Sequence, residues 1–523
     1  MQFLFPATRQ FLPQIYQGRL DALTDPEAAL ALLDAGAQDA GLLPYLPHLA
    51  RLEQTVSECA RTESPPETTP ELTINPTLQL VPSQWQGLSE VLNGSGGGEQ
   101  AEPSPGPETV VVWKDPATSE VRVKAAETNM LLALKIVAEG LSTKQVALDN
   151  ALRPLDLWRL LRREVRRGSL IAPASRLVRD PRIVPPDHSW AWPRYAQATI
   201  FTLQWHVTQA CDLHCRHCYD RSQRGHMPLA EAIAVLDSLD HFCRTHHVQG
   251  QITFTGGNPL LHPHFNTLYR EASARGFILA ILGNPCQREI LEELQSIQPL
   301  AGYQISLEGM EDHNDWVRGP GHFQRSLRFL ALLQEMQIPS QVMLTLTDRN
   351  MDQVLPLARE LSDRVDRFTF NRLSAVGEGS SLQLPTPEAY AAFMADYLQA
   401  SKEMPFLGIK DNLLNSVRWD DKQTITGGCT GFGCGAAFNF FSLLADGEVH
   451  ACRKFPSRIG HIATEDLTSI YHGSAARQYR LGPVECQNCR VRPVCGGCLA
   501  VSAAAGLDIT RERDPFCLSG PRE

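Results

Sequence analysis

The sequence predicts an α/β protein centred on a parallel β/α barrel, open or closed, with helices outside. A helical region and a winged-helix domain precede the barrel, and a cysteine-rich domain follows it. Three observations carry this. From about residue 200, short apolar runs alternate with amphipathic helical patterns, as parallel strands joined by crossover helices require. Before that point, two Pro-rich stretches, 63–71 and 93–107, read as linkers. After it, eight of the 14 cysteines crowd the last hundred residues.

Residues 1–92 form the N-terminal helical region, with Ala and Leu runs such as "DPEAALALLDAG" interrupted by Pro44 and Pro47. "LTINPTLQLVPSQWQGLSEVL" is a small structured piece attached to those helices. Residues 93–107, "NGSGGGEQAEPSPGP", are the stronger linker. Residues 108–190 are the winged-helix domain. "ETVVVWKDPATSEVRVK" is a hairpin around the turn "KDPATSE", and three helical patterns follow, with Ser142 as an N-cap and Gly168 as a stop. Residues 196–395 hold the barrel, whose strands are "TLQWHV", "QITFT", "FILAILG", "YQISLEG", "SQVMLTLT" and "RFTFNRL". Residues 396–523 form the cysteine-rich domain.

A net charge of −10 argues against general nucleic-acid affinity. Pro6, Arg9 and Pro13 break the opening residues before a secretory signal can form, and no apolar run approaches the ~18 residues of a membrane span. A cytoplasmic protein without membrane partners is expected. Thiols stay reduced there, so clustered cysteines read as metal ligands or catalysts.

"CDLHCRHCY" spaces Cys211, Cys215 and Cys218 as Cys-x3-Cys-x2-Cys, on the loop after the first barrel strand. Active sites of such folds gather at the carboxyl ends of the strands. Four thiolates would close a tetrahedral site, and three leave one position open. In a 4Fe–4S cluster the open iron can take a further ligand; a three-cysteine zinc site is the alternative. The stretch resembles the signature of radical S-adenosylmethionine (SAM) enzymes, with His217 where that signature has an aromatic residue. The resemblance implies a partial (β/α)6 barrel in which a 4Fe–4S cluster binds SAM and cleaves it to a 5′-deoxyadenosyl radical. Further segments fit in order. "FTGGNP" resembles the family's Gly-Gly-Glu-Pro stretch, which gives Gly256, Gly257, Asn258 and Pro259 as SAM contacts, with Asn258 in place of the usual Glu. "ISLEG" resembles the ribose-contacting segment, through Ser306 and Glu308. "VRGPGHF" resembles the segment whose arginine, Arg318, pairs with the SAM carboxylate.

The tail contains Cys434-x12-Gly-x4-Cys452 and then "CQNCRVRPVCGGC". It is similar to the SPASM extension of peptide-modifying radical SAM enzymes, which holds two auxiliary 4Fe–4S clusters, although its second run is one residue shorter. Carried across, the pattern gives Cys429, Cys434, Cys452 and Cys498 to one cluster and Cys486, Cys489, Cys495 and Cys517 to the other. Paired zinc ribbons are the alternative reading of the tail. Asp446-Gly447 marks a hairpin turn that would return Cys452 to Cys434.

The third helix of the winged-helix domain carries Arg159, Arg162, Arg163, Arg166 and Arg167. It reads as a leader-peptide recognition element, a DNA recognition helix or a solvated basic face. Cys286 and Arg372, after the third and sixth strands, are candidate substrate-pocket residues, with a packed or bystander thiol as the other reading of Cys286. His206, His214 and His217 read as packing or loop residues.

The resemblance implies a radical SAM maturase that makes a thioether, heterocycle or crosslink in a ribosomally made, Cys-rich precursor peptide bound through its leader. Flavodoxin or ferredoxin would supply electrons, and the stretch "TGGNPLLHPHF" together with the long N-terminal extension resembles the selenobiotic-family peptide maturases. The rivals are a maturase of a folded protein, of sulfatase or quinoprotein type, and a zinc-binding winged-helix DNA regulator.

Overall fold

The computed structural model describes residues 4–39, 41–94, 102–184, 192–420 and 424–518. The chain forms two compact units, Met1–Val146 with Asp156–Ala174, and Ala147–Leu155 with Ser175–Glu523.

In the first unit, a three-stranded antiparallel sheet runs Gln79–Gln86, Ser104–Lys114 and Val121–Ala125, with the long strand in the middle. The helices Pro26–Gln38 and Leu46–Arg61 share one core with this sheet through Leu33, Leu46, Leu49, Val110 and Val112. Asn75 crosslinks the unit, donating to Lys114 O (2.9 Å) and Gly168 O (2.7 Å).

Two boundaries differ from the sequence reading. Of the 93–107 linker, residues 95–101 lie outside the described residues, while Ser104–Pro107 open the central strand. Proline is tolerated in that strand because Pro105 sits opposite Trp85, at a register shift between Ser83 and Trp85. The 79–86 segment, read as an appendage of the helices, is a full strand of the hairpin's sheet, so the helical region and the hairpin are one unit.

In the second unit, six parallel strands follow in chain order: β1 (Ile200–Thr208), β2 (Gln249–Gly256), β3 (Ile278–Leu282), β4 (Gly302–Ser306), β5 (Ser340–Leu346) and β6 (Arg367–Arg372). Three more extend the same sheet beyond β1: β7 (Phe440–Leu443) pairs with it in parallel, followed by antiparallel β8 (Glu448–His450) and β9 (Arg458–His461). The order is β6-β5-β4-β3-β2-β1-β7-β8-β9, an open sheet with β6 and β9 at its ends.

Alternation along the strands sorts the two faces. On β1, Phe201, Leu203, Trp205 and Val207 are fully buried toward the helices, while Thr202 and Gln204 face the lumen half-buried. The helix Leu229–His246 meets them with Ala232, Val235, Leu236, Leu239 and Phe242, at helical spacing. Burying a side chain such as Phe242 stabilises by roughly 1.5–3 kcal/mol. The lumen face is polar, with Gln251, Gln304, Ser306, Gln341, Thr345 and Asn371. No helix among the described residues is long and apolar enough to cross a membrane.

Candidate active site

The three-cysteine loop leaves the carboxyl end of β1 and is pinned by backbone approach. Asn258 N donates to Ala210 O (2.7 Å), and Gly257 N to Thr208 O (3.0 Å). A Cβ on Gly256 would collide with Thr208 O, and one on Gly257 with Ala210 O. Gly256 also has φ +148°, a backbone that other residues adopt at a cost. Asn258 Nδ2 donates to Asp212 Oδ1 (3.0 Å), which also accepts from Asn284 Nδ2 (2.6 Å). Asn284 reaches Cys211 Sγ at 3.7 Å.

The other side of the loop rests on the chain after β4. Arg216 donates from N to Val317 O and from Nε to Trp316 O, both at 2.9 Å, and its guanidinium covers the Trp316 ring. Arg318 Nη1 lies 3.6 Å from Cys215 Sγ, while its Nη2 pairs with Glu308 Oε1 at 2.6 Å. Glu308 is buried and also meets His217 Nε2 (3.0 Å) and Thr345 N (2.8 Å). Burial alone would raise its pKa, but His217 and Arg318 hold the carboxylate well below its usual range. Burial raises the Cys215 thiol, and Arg318 opposes this by favouring the thiolate.

The loop's far end is tied to the tail. The Arg453 guanidinium stacks over Tyr219 (4.7 Å) and pairs with Asp220, while Arg224 pairs with Asp446 and Glu448. Within the tail, the eight cysteines fall into two groups. Cys429, Cys434, Cys452 and Cys498 lie within electrostatic reach of one another. Cys486, Cys489, Cys495 and Cys517 line one cavity with Leu413, Arg492 and Asp514. The β7–β8 hairpin turns at Asp446-Gly447, where Gly447 has φ +91°. Gly496 and Gly497 are both left-handed, at φ +66° and +64°. That double reversal sends Cys495 to one group and Cys498 to the other, although two residues separate them. Burial pushes Cys434 and Cys486 up to about 12.

Residues 205–361 match the family model of the radical SAM superfamily, and residues 434–499 match that of SPASM, an iron–sulfur cluster-binding domain. The chain is a radical SAM enzyme with a SPASM domain.

Among its relatives is the AdoMet-dependent heme synthase of Methanosarcina barkeri (strain Fusaro / DSM 804), 26% identical over 350 residues, which span 61% of this chain and 96% of the relative. The sporulation killing factor maturation protein SkfB of Bacillus subtilis (strain 168) is 27% identical over 300 residues, or 55% and 68% of the two chains. The crystal structure of Streptococcus suis SuiB bound to S-adenosylmethionine aligns at TM-score 0.50 and 14% identity, covering 79% of this chain and 96% of that one. At that identity the likeness shows the shared fold.

A radical SAM enzyme with a SPASM domain uses SAM and 4Fe–4S clusters, and the loops of this chain suit them. Cys211, Cys215 and Cys218 act on one another electrostatically, and Cys211 is exposed. Among the described residues, no three His, Cys, Asp or Glu side chains converge closely enough to share a single ion. His217 Nδ1 is buried without a hydrogen-bond partner among the described residues, a polar atom left for a ligand.

The candidate SAM contacts divide. Ser306 ends β4 half-buried on the lumen face. Gly256, Gly257 and Asn258 hold the radical SAM loop in place, and Pro259 opens a short 3-10 turn capped by Asn258. Glu308 and Arg318 are paired with each other.

Of the two pocket candidates, Arg372 is corrected. Arg372 is buried between Asp411 and Asp514, at 2.7 Å from each, and lies 5.3 Å from both the Tyr390 and Phe516 rings. It fastens the end of β6 to the SPASM tail and has no face left for substrate. Cys286 is half-buried against the barrel core, where burial pushes its thiol up to about 12, in keeping with the packed-thiol reading.

Asp212 and Asn284 carry no signal in the sequence reading, and His217 reads there as a loop residue. Asp212 stands inside the cysteine motif, and Asn284 is two residues before the Cys286 that drew notice instead. The His217 partner Glu308 lies 91 positions away.

Proposed function

We propose that this enzyme matures a ribosomally made precursor peptide, forming a thioether, heterocycle or crosslink. The observation that carries the reading is the likeness to SkfB, a maturation protein by name. The first unit supports it. Val121–Ala125 is an edge strand onto which an extended leader can add, with residues 156–167 of the helix Pro154–Arg167 in the same unit. That helix is a weaker DNA reader than its five arginines suggested, because Arg163 and Arg167 are committed to Glu127 and Glu164. An enzyme of this superfamily also displaces the reading as a non-enzymatic zinc regulator.

In this reading Cys211, Cys215 and Cys218 hold the SAM-binding cluster, and the two tail groups hold one auxiliary cluster each. When bound, cluster and SAM supply one-electron hydrogen abstraction from a substrate carbon. The chain's own residues prepare the place. Gly256 and Gly257 let β2 approach the loop, Asp212 fixes Asn258 and Asn284 around Cys211, and the Glu308–Arg318 pair sets a cation beside Cys215. The polar lumen receives the peptide segment to be modified. A flavodoxin or ferredoxin in the cytoplasm provides electrons, and the thiols stay reduced there.

The likeness to the haem synthase favours a second reading, a haem precursor as substrate. One experiment separates the two. The reconstituted full chain is incubated with SAM, dithionite and, in turn, synthetic Cys-rich precursor peptides and a haem precursor, and the products are analysed by mass spectrometry. Loss of two hydrogens from the peptide, dependent on Cys215, supports maturation. An unmodified peptide alongside conversion of a haem precursor sinks it.

A further inference from the structure

The upper lumen carries Lys410, which forms no ion pair with a carboxylate among the described residues. Residues 406–408 run beside β6 in parallel, with Phe368 N donating to Phe406 O (3.0 Å) and Gly408 N to Phe368 O (2.7 Å). Leu407 pairs with Phe368 and is buried with it. Alternation then turns Gly408 and Lys410 toward the lumen face of β6, where Thr369 and Asn371 stand. Gly408 fits there because a Cβ would collide with Thr369 Cγ2. Lys410 Nζ reaches Met343 Sδ at 3.6 Å, and Asn371 Nδ2 reaches the same sulfur at 2.8 Å. Met343 is the register partner of Ser306 on β4 and of Thr369 on β6.

A thioether is a weak acceptor. Two strong donors therefore share one poor partner, in a half-buried lumen. Among the described residues no ion pair includes Lys410; burial lowers its pKa, Lys454 and Arg367 lower it further, and Cys429 and Cys452 oppose this by favouring the ammonium. Three of the surrounding groups, Ser306, Cys429 and Cys452, belong to the cofactor segments identified above. Lys454, which donates to Arg372 O (2.7 Å), adds a second ammonium.

We propose that Lys410, with Asn371 beside it, is a carboxylate-binding subsite that holds an acidic group of the substrate between Ser306 and Cys429. The carboxylate is the side chain of an acidic residue in the peptide, or the peptide's own C-terminus. The assignment rests on the maturase reading and narrows it to substrates with a carboxylate near the reacting carbon.

The test uses the anaerobically reconstituted full chain and three short probes: acetyl-Gly-Asp-Gly-amide, its Asn counterpart, and acetyl-Gly-Gly with a free C-terminus. Binding is read by saturation-transfer NMR, with glutarate as a non-peptide carboxylate. The Asp probe should bind, and the Asn probe should bind at least about tenfold more weakly, the loss expected for one charge-assisted hydrogen bond. Lys410→Met should remove that preference, and Lys410→Arg should restore part of it. Iron content equal to the unsubstituted chain shows that the variants have folded and loaded. Binding of the free C-terminus in place of the Asp probe would assign the carboxylate to the chain end. Lys410-dependent binding of glutarate without any peptide probe would keep the subsite and overturn the peptide reading. Equal binding of Asp and Asn probes, unchanged binding to Lys410→Met, or no carboxylate binding at all would overturn the subsite. A shift in cluster potential as the sole effect of Lys410→Met would do the same, leaving Lys410 as a counter-charge to Cys429.

Discussion

Arg318 and Glu308 pair at 2.6 Å at the mouth of the barrel, and the same guanidinium turns its other nitrogen to Cys215. The carboxylate thus aims the cation at a cluster ligand. Glu308→Gln should keep the shape and weaken the grip, which would be read as a changed EPR signal of the reduced SAM-binding cluster and weaker SAM binding. The pair also has a pH signature. A carboxylate whose pKa is depressed by folding stabilises the protein above its unfolded value, about 4.3, and loses that contribution as pH falls toward the folded value. The unsubstituted chain should therefore lose more stability than Glu308→Gln on acidification below about pH 4.5, as followed by near-UV circular dichroism.

Gly257 leaves no room for a side chain between β2 and the cysteine loop. Gly257→Ala should push the loop away from β2 and cost about four irons per chain, one cluster's worth, with SAM cleavage lost in parallel. Iron analysis after reconstitution checks this. A full iron complement with normal 5′-deoxyadenosine release would show that the close approach is not needed.

Gly497 has a left-handed backbone, and a Cβ there would stand 2.7 Å from Asp514 Cβ. Gly497→Ala should disturb both tail groups at once, because the same turn places Cys495 and Cys498. The left-handed backbone alone costs roughly 1–2 kcal/mol for other residues. Mössbauer spectra should show loss of auxiliary iron while the iron at 211–218 remains.

Arg372→Met leaves Asp411 and Asp514 buried and facing each other without a cation. Removing one member of such a pair costs about 3–5 kcal/mol. The tail should become sensitive to limited proteolysis, with cleavage beginning after residue 400. Asp514 also accepts from Cys498 N at 2.8 Å, so auxiliary iron should fall as well.

Much of the site was legible because cluster ligands crowd into short loops whose spacing survives in one dimension. The strand-helix alternation gave the barrel in the same way, through local periodicity. Long-range pairing left no such trace. Nothing near Phe440–Leu443 announces that it will lie parallel to β1, so the tail read as a separate domain although its strands extend the barrel sheet. Arg372 looked like a pocket residue because its partners lie 39 and 142 positions away. The 93–107 stretch read as linker throughout because Pro and Gly usually break strands, and a register shift that tolerates Pro105 is visible only once Trp85 is paired opposite.

The most direct measurement is EPR of the anaerobically reconstituted, dithionite-reduced chain with and without SAM, paired with an assay for 5′-deoxyadenosine. The account predicts a 4Fe–4S signal that SAM shifts, release of 5′-deoxyadenosine, and loss of both in Cys215→Ala. A signal that SAM leaves untouched, or 5′-deoxyadenosine release that survives Cys215→Ala, would contradict it.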